Sequence, residues 1–298
     1  MSSSKPGSMH SPVFLIGTQR SGTTLLCRML SAHPDIFIKN EVSVRSVFTP
    51  GASPEAIREG ISHSVKLATG KSLDELMAAE NKTIWGLKDP ELTTYLADLK
   101  QFLPQARFII IFRDARAVVN SYMENKWGLG TNAYTGAQRW KREVEAQMRF
   151  HETLPNHVLK LRFEDLVLNQ QQTLETVCDF LGVPFDKSML DYSKQKGFIK
   201  TTRENKKAFE APDSAMTRKW ENKLSGHQIR VVDSVCAPIL DSLGYDVAPT
   251  NYSVPSWLVS YYRLHQKVIG EIQIQYRWRL SAYRQRYRKW LAQRIESK

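Results

Sequence analysis

Two glycines, an arginine and four hydroxyl-bearing residues crowd into the eight positions Gly17–Thr24, GTQRSGTT. Residues of these types together bind anions. Glycine lets the backbone come close to an oxyanion, hydroxyl and amide groups donate hydrogen bonds to it, and a guanidinium adds permanent positive charge. The flanks explain how such a loop would be held. Val13–Ile16 (VFLI) reads as a buried strand, and Leu25, Leu26, Met29 and Leu30 follow at helical spacing. A strand, a tight turn and a helix start leave the first helical amides unpaired and facing outward. A phosphate-like group held by Arg20, Ser21, Gly22, Thr23 and Thr24 is the expectation.

A second group of residues suits a second anion. Arg107–Tyr122 reads RFIIIFRDARAVVNSY, in which Phe108–Phe112 is short and apolar enough for a central parallel strand. Arg113 then stands at the carboxyl end of that strand, where open α/β sheets bind ligands. Asp114 is placed to cap the following helix, and Ser121 brings a hydroxyl eight residues on. Taken alone, Arg113–Asp114 would equally serve as a local ion pair, and a glycine-rich turn is common. The two motifs in one chain favour a ligand with two phosphates.

The loop departs from a nucleotide-hydrolysing P-loop at one position. Thr23 stands where such loops carry lysine, and the cation lies instead at Arg20. This pattern resembles the 5′-phosphosulfate loop of sulfotransferases that use 3′-phosphoadenosine-5′-phosphosulfate (PAPS), and Arg113…Ser121 resembles their 3′-phosphate site. HPDIFIKNE, GLKDP, LRFEDL, FLGVP and KW…LGYD occur in the order of the protein-tyrosine sulfotransferase-like branch, over roughly residues 12–247.

The resemblance implies PAPS as co-substrate with no metal, Glu41 as general base, and Lys88 and Arg20 stabilising the departing phosphate. Phe163 takes the place of a nucleotide-contacting tyrosine, and Lys219, beside Trp220, matches a lysine that closes over the cofactor. Two departures stand out. Asn125, followed by Lys126, replaces a basic residue after the 3′-phosphate serine. Ser43 replaces an arginine that engages peptide substrate, which moves the expectation from acidic peptides toward a carbohydrate, lipid or small-metabolite hydroxyl. Tyrosine stays among the acceptors. Glu41 has a plainer reading as a surface carboxylate pairing with Lys39 or Arg45, Lys88 as a helix-boundary lysine beside Asp89, and Lys219 as a surface lysine. A P-loop kinase or NTPase, and a non-catalytic nucleotide-binding protein acting through a basic tail, are the competing classes.

Around these residues, strands alternate with helices. Thr83–Leu87 and His157–Leu161 read as further strands, a segment through Tyr95 and Leu99 and Gln138–Leu154 as helices, and Gly51–Glu80 as a helical insertion. The expected fold is α/β and P-loop-like, with three layers: a central parallel sheet flanked by helices. It occupies 12–250, after a disordered opening over 1–11. Cys27, Cys178 and Cys236 fall in apolar helical patterns and read as buried hydrophobes, neither disulfide-bonded nor metal-binding. No segment reads as a signal peptide or a span, so a cytoplasmic protein, peripheral to the inner membrane surface, is expected.

Charge singles out the end of the chain. The net charge is +12, yet residues 251–298 alone hold ten Lys or Arg against two Glu. Within that stretch Trp257, Tyr261, Leu264, Val268, Ile272, Tyr276, Leu280, Tyr283, Tyr287, Trp290 and Leu291 recur mostly three or four residues apart. An amphipathic helical extension follows from that spacing. It would serve an anionic membrane surface, a second subunit or its own domain, with nucleic acid a weaker match.

Overall fold

A computed structural model describes residues 11–194, 209–210, 212–249 and 251–296, with side chains at 194 and 281–296 outside the description. The opening read as disordered therefore lies outside the described residues apart from Ser11, as do the side chains of Tyr283, Tyr287, Trp290 and Leu291. The described residues divide into two compact units. One lies within Met1–Arg113 and Glu143–Arg218, the other within Asp114–Arg142 and Lys219–Lys298.

The first unit is built on five parallel strands: β1 (Pro12–Ile16), β2 (Ile36–Asn40), β3 (Ile84–Lys88), β4 (Arg107–Phe112) and β5 (Val158–Arg162). Their order is β2-β3-β1-β4-β5. The central strands are apolar on both faces because both faces are covered. On one face Val13, Leu15, Ile109 and Ile111 pack with Leu25, Leu26, Met29 and Leu30 of α1 (Thr23–Ser31). The opposite face carries aromatic rings: Phe14 stacks on Phe108 at 5.8 Å and meets Phe102 at 5.1 Å, and Phe150 sits edge-on to Phe108.

Between β2 and β3 the chain forms α2 (Val44–Val47), α3 (Pro54–Thr69) and α4 (Leu73–Ala79), of which α3 and α4 are the helical insertion expected over Gly51–Glu80. Ser53 caps α3, and Ser72 with Glu75 forms a reciprocal capping box on α4, which fixes both starts. The helix expected through Tyr95 and Leu99 is a 3₁₀ turn, Leu92–Tyr95, followed by a single turn, α5 (Leu96–Leu99). Leu92 and Leu99 are the buried anchors there, too few apolar positions to support a longer helix.

The remaining helices are α6 (Ala115–Asn125), α7 (Ala133–Thr153), α8 (Phe163–Leu168), α9 (Gln170–Leu181), α10 (Ala215–Arg218), α11 (Gly226–Ser242) and α12 (Ser256–Glu296). Helix α7 begins five residues earlier than its periodicity predicted. Asn132 supplies the start, its Oδ1 accepting from the Thr135 amide at 3.0 Å.

In the second unit, Asp114 caps α6 by accepting the Arg116 amide at 2.8 Å and also pairs with the Arg116 guanidinium at 2.7 Å. The same guanidinium donates to the Asp246 carbonyl at 2.8 Å and stacks over Trp220 at 4.2 Å. A buried cation with this many partners ties α6 to the residues flanking α11. All three cysteines are buried thiols outside any disulfide, and burial pushes the Cys27 and Cys178 thiols up to about 11.

Candidate active site

Parallel strands put all their carboxyl ends along one edge, and each of the five delivers a candidate residue there. β1 leads into the Gly17–Gly22 loop, β2 into Glu41, β3 ends on Lys88, β4 leads into Arg113 and β5 into Phe163. The chain adds β2 and β3 on one side of β1 and β4 and β5 on the other. The loop after β1 thus stands at the point where strand order reverses, which is where open sheets form a ligand crevice.

The loop is tight and polar inside. Arg20 has φ 74° and Gly22 φ 101°, both left-handed, and the Ser21 amide donates to the Thr18 carbonyl at 3.1 Å. Glycine is required at position 22 for two reasons, because a Cβ there would lie 2.2 Å from a Phe163 ring carbon as well as in strained backbone. At Gly17 a Cβ would lie 2.5 Å from Ser21 Oγ and 2.8 Å from the Ile111 carbonyl. Thr18 and Ser21 are 2% and 1% exposed, and their side-chain oxygens have no hydrogen-bond partner among the described residues. Buried hydroxyls without partners are costly. Together with the first amides of α1, which no side chain caps, they fit an oxyanion such as the 5′-phosphosulfate of PAPS.

Glu41 and Lys88, 47 residues apart, form one unit. Lys88 Nζ donates to Glu41 Oε1 at 2.7 Å, and the Glu41 amide donates back to the Lys88 carbonyl at 2.7 Å. Strand pairing causes this: Asn40 lies opposite Lys88 in the β2–β3 register, so the next residue turns across the end of β3. Glu41 takes φ 56° to do so. The lysine side chain is 2% exposed and the glutamate 53%, so the ammonium is held inside while the carboxylate reaches the surface. Glu41 therefore pairs with Lys88, where its plainer reading had Lys39 or Arg45 as partner.

Asp89, which the sequence reading left without a role, holds this arrangement. Its carboxylate accepts the Val42 amide at 3.2 Å and the Glu91 amide at 2.9 Å. Burial pushes the Asp89 carboxyl up to about 6, with Glu41 adding to the rise and the two amides and Lys88 opposing it. An acid followed by proline directly after a strand was the signal available.

Arg113 faces the loop. Its Nη1 donates to the Arg20 carbonyl at 3.0 Å, its Nη2 to the Met216 carbonyl at 2.9 Å, and its guanidinium lies over the Phe163 ring at 4.1 Å. The aromatic ring of Phe163 thus contacts both the loop glycine and the β4 arginine. Ser121 and Lys219 belong to the second unit. Ser121, on α6, accepts from Asn125 Nδ2 at 3.1 Å. Lys219 pairs with Glu124 at 2.7 Å, both side chains about two-fifths exposed, as in its plainer reading.

Comparison with known proteins bears on this geometry. A family model described as "Sulfotransferase family" matches residues 12–187. A putative protein-tyrosine sulfotransferase of Caenorhabditis briggsae is 26% identical over 251 residues, covering 79% of this chain and 89% of the relative. Protein-tyrosine sulfotransferase 1 of Danio rerio is 28% identical over 271 residues, covering 83% and 76%. Among solved structures, the sulfotransferase domain from the curacin biosynthetic pathway aligns with a TM-score of 0.60 at 20% identity, covering 79% of this chain and 98% of that one. The sulfotransferase domain of the Synechococcus PCC 7002 olefin synthase gives 0.58 at 19%, covering 82% and 98%. At such identities the structural likeness speaks for the fold.

Proposed function

The chain belongs to the sulfotransferase family and is a PAPS-dependent transferase, and on that premise we propose that Glu41 is the base that accepts the proton of an acceptor hydroxyl. The observation that carries this reading is the Lys88–Glu41 pair, a carboxylate that reaches the surface beside a buried ammonium at adjacent strand ends. PAPS supplies the sulfuryl group; the S–O bond to its phosphate breaks as one to the acceptor oxygen forms, leaving 3′-phosphoadenosine-5′-phosphate. Sulfuryl transfer of this kind asks the protein mainly to position reactants and offset charge.

Glu41 takes the hydroxyl proton as the acceptor oxygen becomes nucleophilic. Once that carboxylate is protonated, its hold on Lys88 weakens, and the ammonium is available to donate toward the phosphate oxygen that gains charge. Arg20 acts from the loop on the same charge. Ser21, Gly22, Thr23 and Thr24 hold the 5′-phosphate through hydroxyls and helix amides. Arg113 and Ser121 are assigned to the 3′-phosphate, Phe163 to ring packing against the nucleotide, and Lys219 to closure over it; for Ser121 and Lys219 the sequence motif is the support.

The acceptor is proposed to be a hydroxyl on a carbohydrate, lipid or small metabolite. Ser43, at the start of α2, offers no charge where the peptide-modifying branch places an arginine. Competition between 3′-phosphoadenosine-5′-phosphate and ATP for the protein, followed by transfer from radiolabelled PAPS to a panel of phenols, sugars, lipids and acidic peptides, tests the reading. Preference for the phosphoadenosine and label on a non-peptide hydroxyl support it. Preference for ATP, or label on acidic peptide alone, overturns it.

A further inference from the structure

Helix α12 leaves a long row of apolar side chains outside its contacts with the second unit. Its contacts within the second unit join a row of polar groups to a few half-buried apolar ones, Leu258, Val259 and Ile269 among them, and the Tyr262 ring stacks on Tyr134 at 6.0 Å. Gln266 Nε2 donates to the Gly128 carbonyl at 2.7 Å, Gln273 Oε1 accepts the Gly128 amide at 3.0 Å, and the Tyr262 carbonyl accepts from Asn132 at 3.0 Å. Arg277 donates to the carbonyls of Asn125 and Lys126 and lies over Trp127 at 4.3 Å. Gly128 and Gly270 are both small because the backbones nearly touch: a Cβ on Gly128 would lie 2.9 Å from the Gly270 carbonyl. Residues 262, 266, 270, 273 and 277 lie on one side of the helix.

The exposed apolar stripe lies on the other side. Trp257, Leu264, Ile272 and Tyr276 are 70%, 61%, 57% and 66% exposed, and Tyr261 and Val268 beside them are also open. A helix in a globular protein normally buries its apolar stripe and shows its polar one. A row of exposed aromatic and aliphatic side chains over five turns marks a surface for a covering partner.

We propose that α12 docks this stripe onto the surface of an anionic phospholipid bilayer. Charge selects that occupant. The segment 251–298 carries ten Lys or Arg against two Glu, so a second copy would bring the same positive excess along the same helix. An anionic headgroup layer neutralises it instead. Arg263, Lys267 and Arg279 are exposed on the described part of the helix. Trp and Tyr rings suit the boundary between headgroups and acyl chains, with apolar bodies and polar tips. Among the described residues no helix is long and apolar enough to cross a membrane, so α12 lies along the surface. At 41 residues it presents roughly 60 Å of helix to it. The inference is independent of the acceptor and of the role of Glu41.

Flotation of the full chain with phosphatidylcholine vesicles, with and without phosphatidylglycerol, tests it. Capture by the anionic vesicles alone is expected, weakening as salt is raised. The variant Leu264→Glu/Ile272→Glu, altered only at exposed positions, is expected to lose about tenfold or more in vesicle affinity while keeping the wild-type melting temperature and phosphoadenosine affinity. No capture by anionic vesicles, equal capture of the variant, or a dimer in light scattering that the variant abolishes would overturn the proposal. Displacement from vesicles by equimolar double-stranded DNA would also overturn it, in favour of nucleic acid.

Discussion

Arg113, the residue after β4, donates to the main-chain oxygen of Arg20 at 3.0 Å, so one cation of the candidate site fixes the backbone that carries the other. The loop after β1 is thereby fastened from the neighbouring strand, and the same guanidinium stacks on Phe163 at the end of β5. Three strand ends are joined through one side chain.

Arg113→Ala should loosen the loop and remove charge from the site together. Two charge-assisted hydrogen bonds are lost, each worth about 1.5–3 kcal/mol. Calorimetric titration with 3′-phosphoadenosine-5′-phosphate is expected to show affinity reduced by about a hundredfold, with a lower melting temperature. Wild-type affinity would show that Arg113 serves neither the loop nor the nucleotide.

Gly22→Ala is expected to be among the most damaging small substitutions in the chain. The added methyl meets the Phe163 ring at 2.2 Å, and the φ of 101° disfavours any side chain. Overpacking of this kind costs about 1–3 kcal/mol and the backbone strain adds about 1 kcal/mol. In Gly22→Ala/Phe163→Ala the clash disappears and the strain stays. Denaturant melts should therefore show coupling between the two changes, and strict additivity would remove Phe163 as the cause.

Asp89 should make stability depend on pH in the acid range. Its carboxyl is pushed up to about 6 from an ordinary 3.8, chiefly by burial. The folded protein therefore holds a proton that the unfolded chain has released, and stability from this group falls as pH rises from about 4 through about 6. Asp89→Asn should lose that slope, and, by giving up one of two backbone contacts, release the Val42 turn beside Glu41. Parallel pH–stability curves for the two proteins would contradict the assignment.

The candidate site is legible in the sequence where it is local and hidden where it is not. Gly17–Thr24 is legible because strand, turn and helix are consecutive, and Arg113 because it directly follows an apolar strand. The Lys88–Glu41 pair depends on β2 lying beside β3 in a particular register, which no local pattern encodes. Asp89 was missed for the same reason, since its amide partner Val42 is 47 residues away. Thr18 lacked a role until its burial without a partner was seen. Periodicity finds the apolar stripe of α12, but spacing alone does not say whether that stripe is covered. The segment through Tyr95 and Leu99 has helical apolar spacing but forms short turns, because its burial is confined to Leu92 and Leu99.

Parallel measurement of nucleotide affinity and sulfuryl transfer in Glu41→Gln addresses the central claim most directly. Glutamine keeps an oxygen for the Lys88 ammonium but has no basic carboxylate. Affinity for 3′-phosphoadenosine-5′-phosphate should stay within about twofold of wild type, while turnover with an identified acceptor falls by about a hundredfold or more. Turnover near wild type, or a loss of affinity that matches the loss of turnover, would contradict Glu41 as the base.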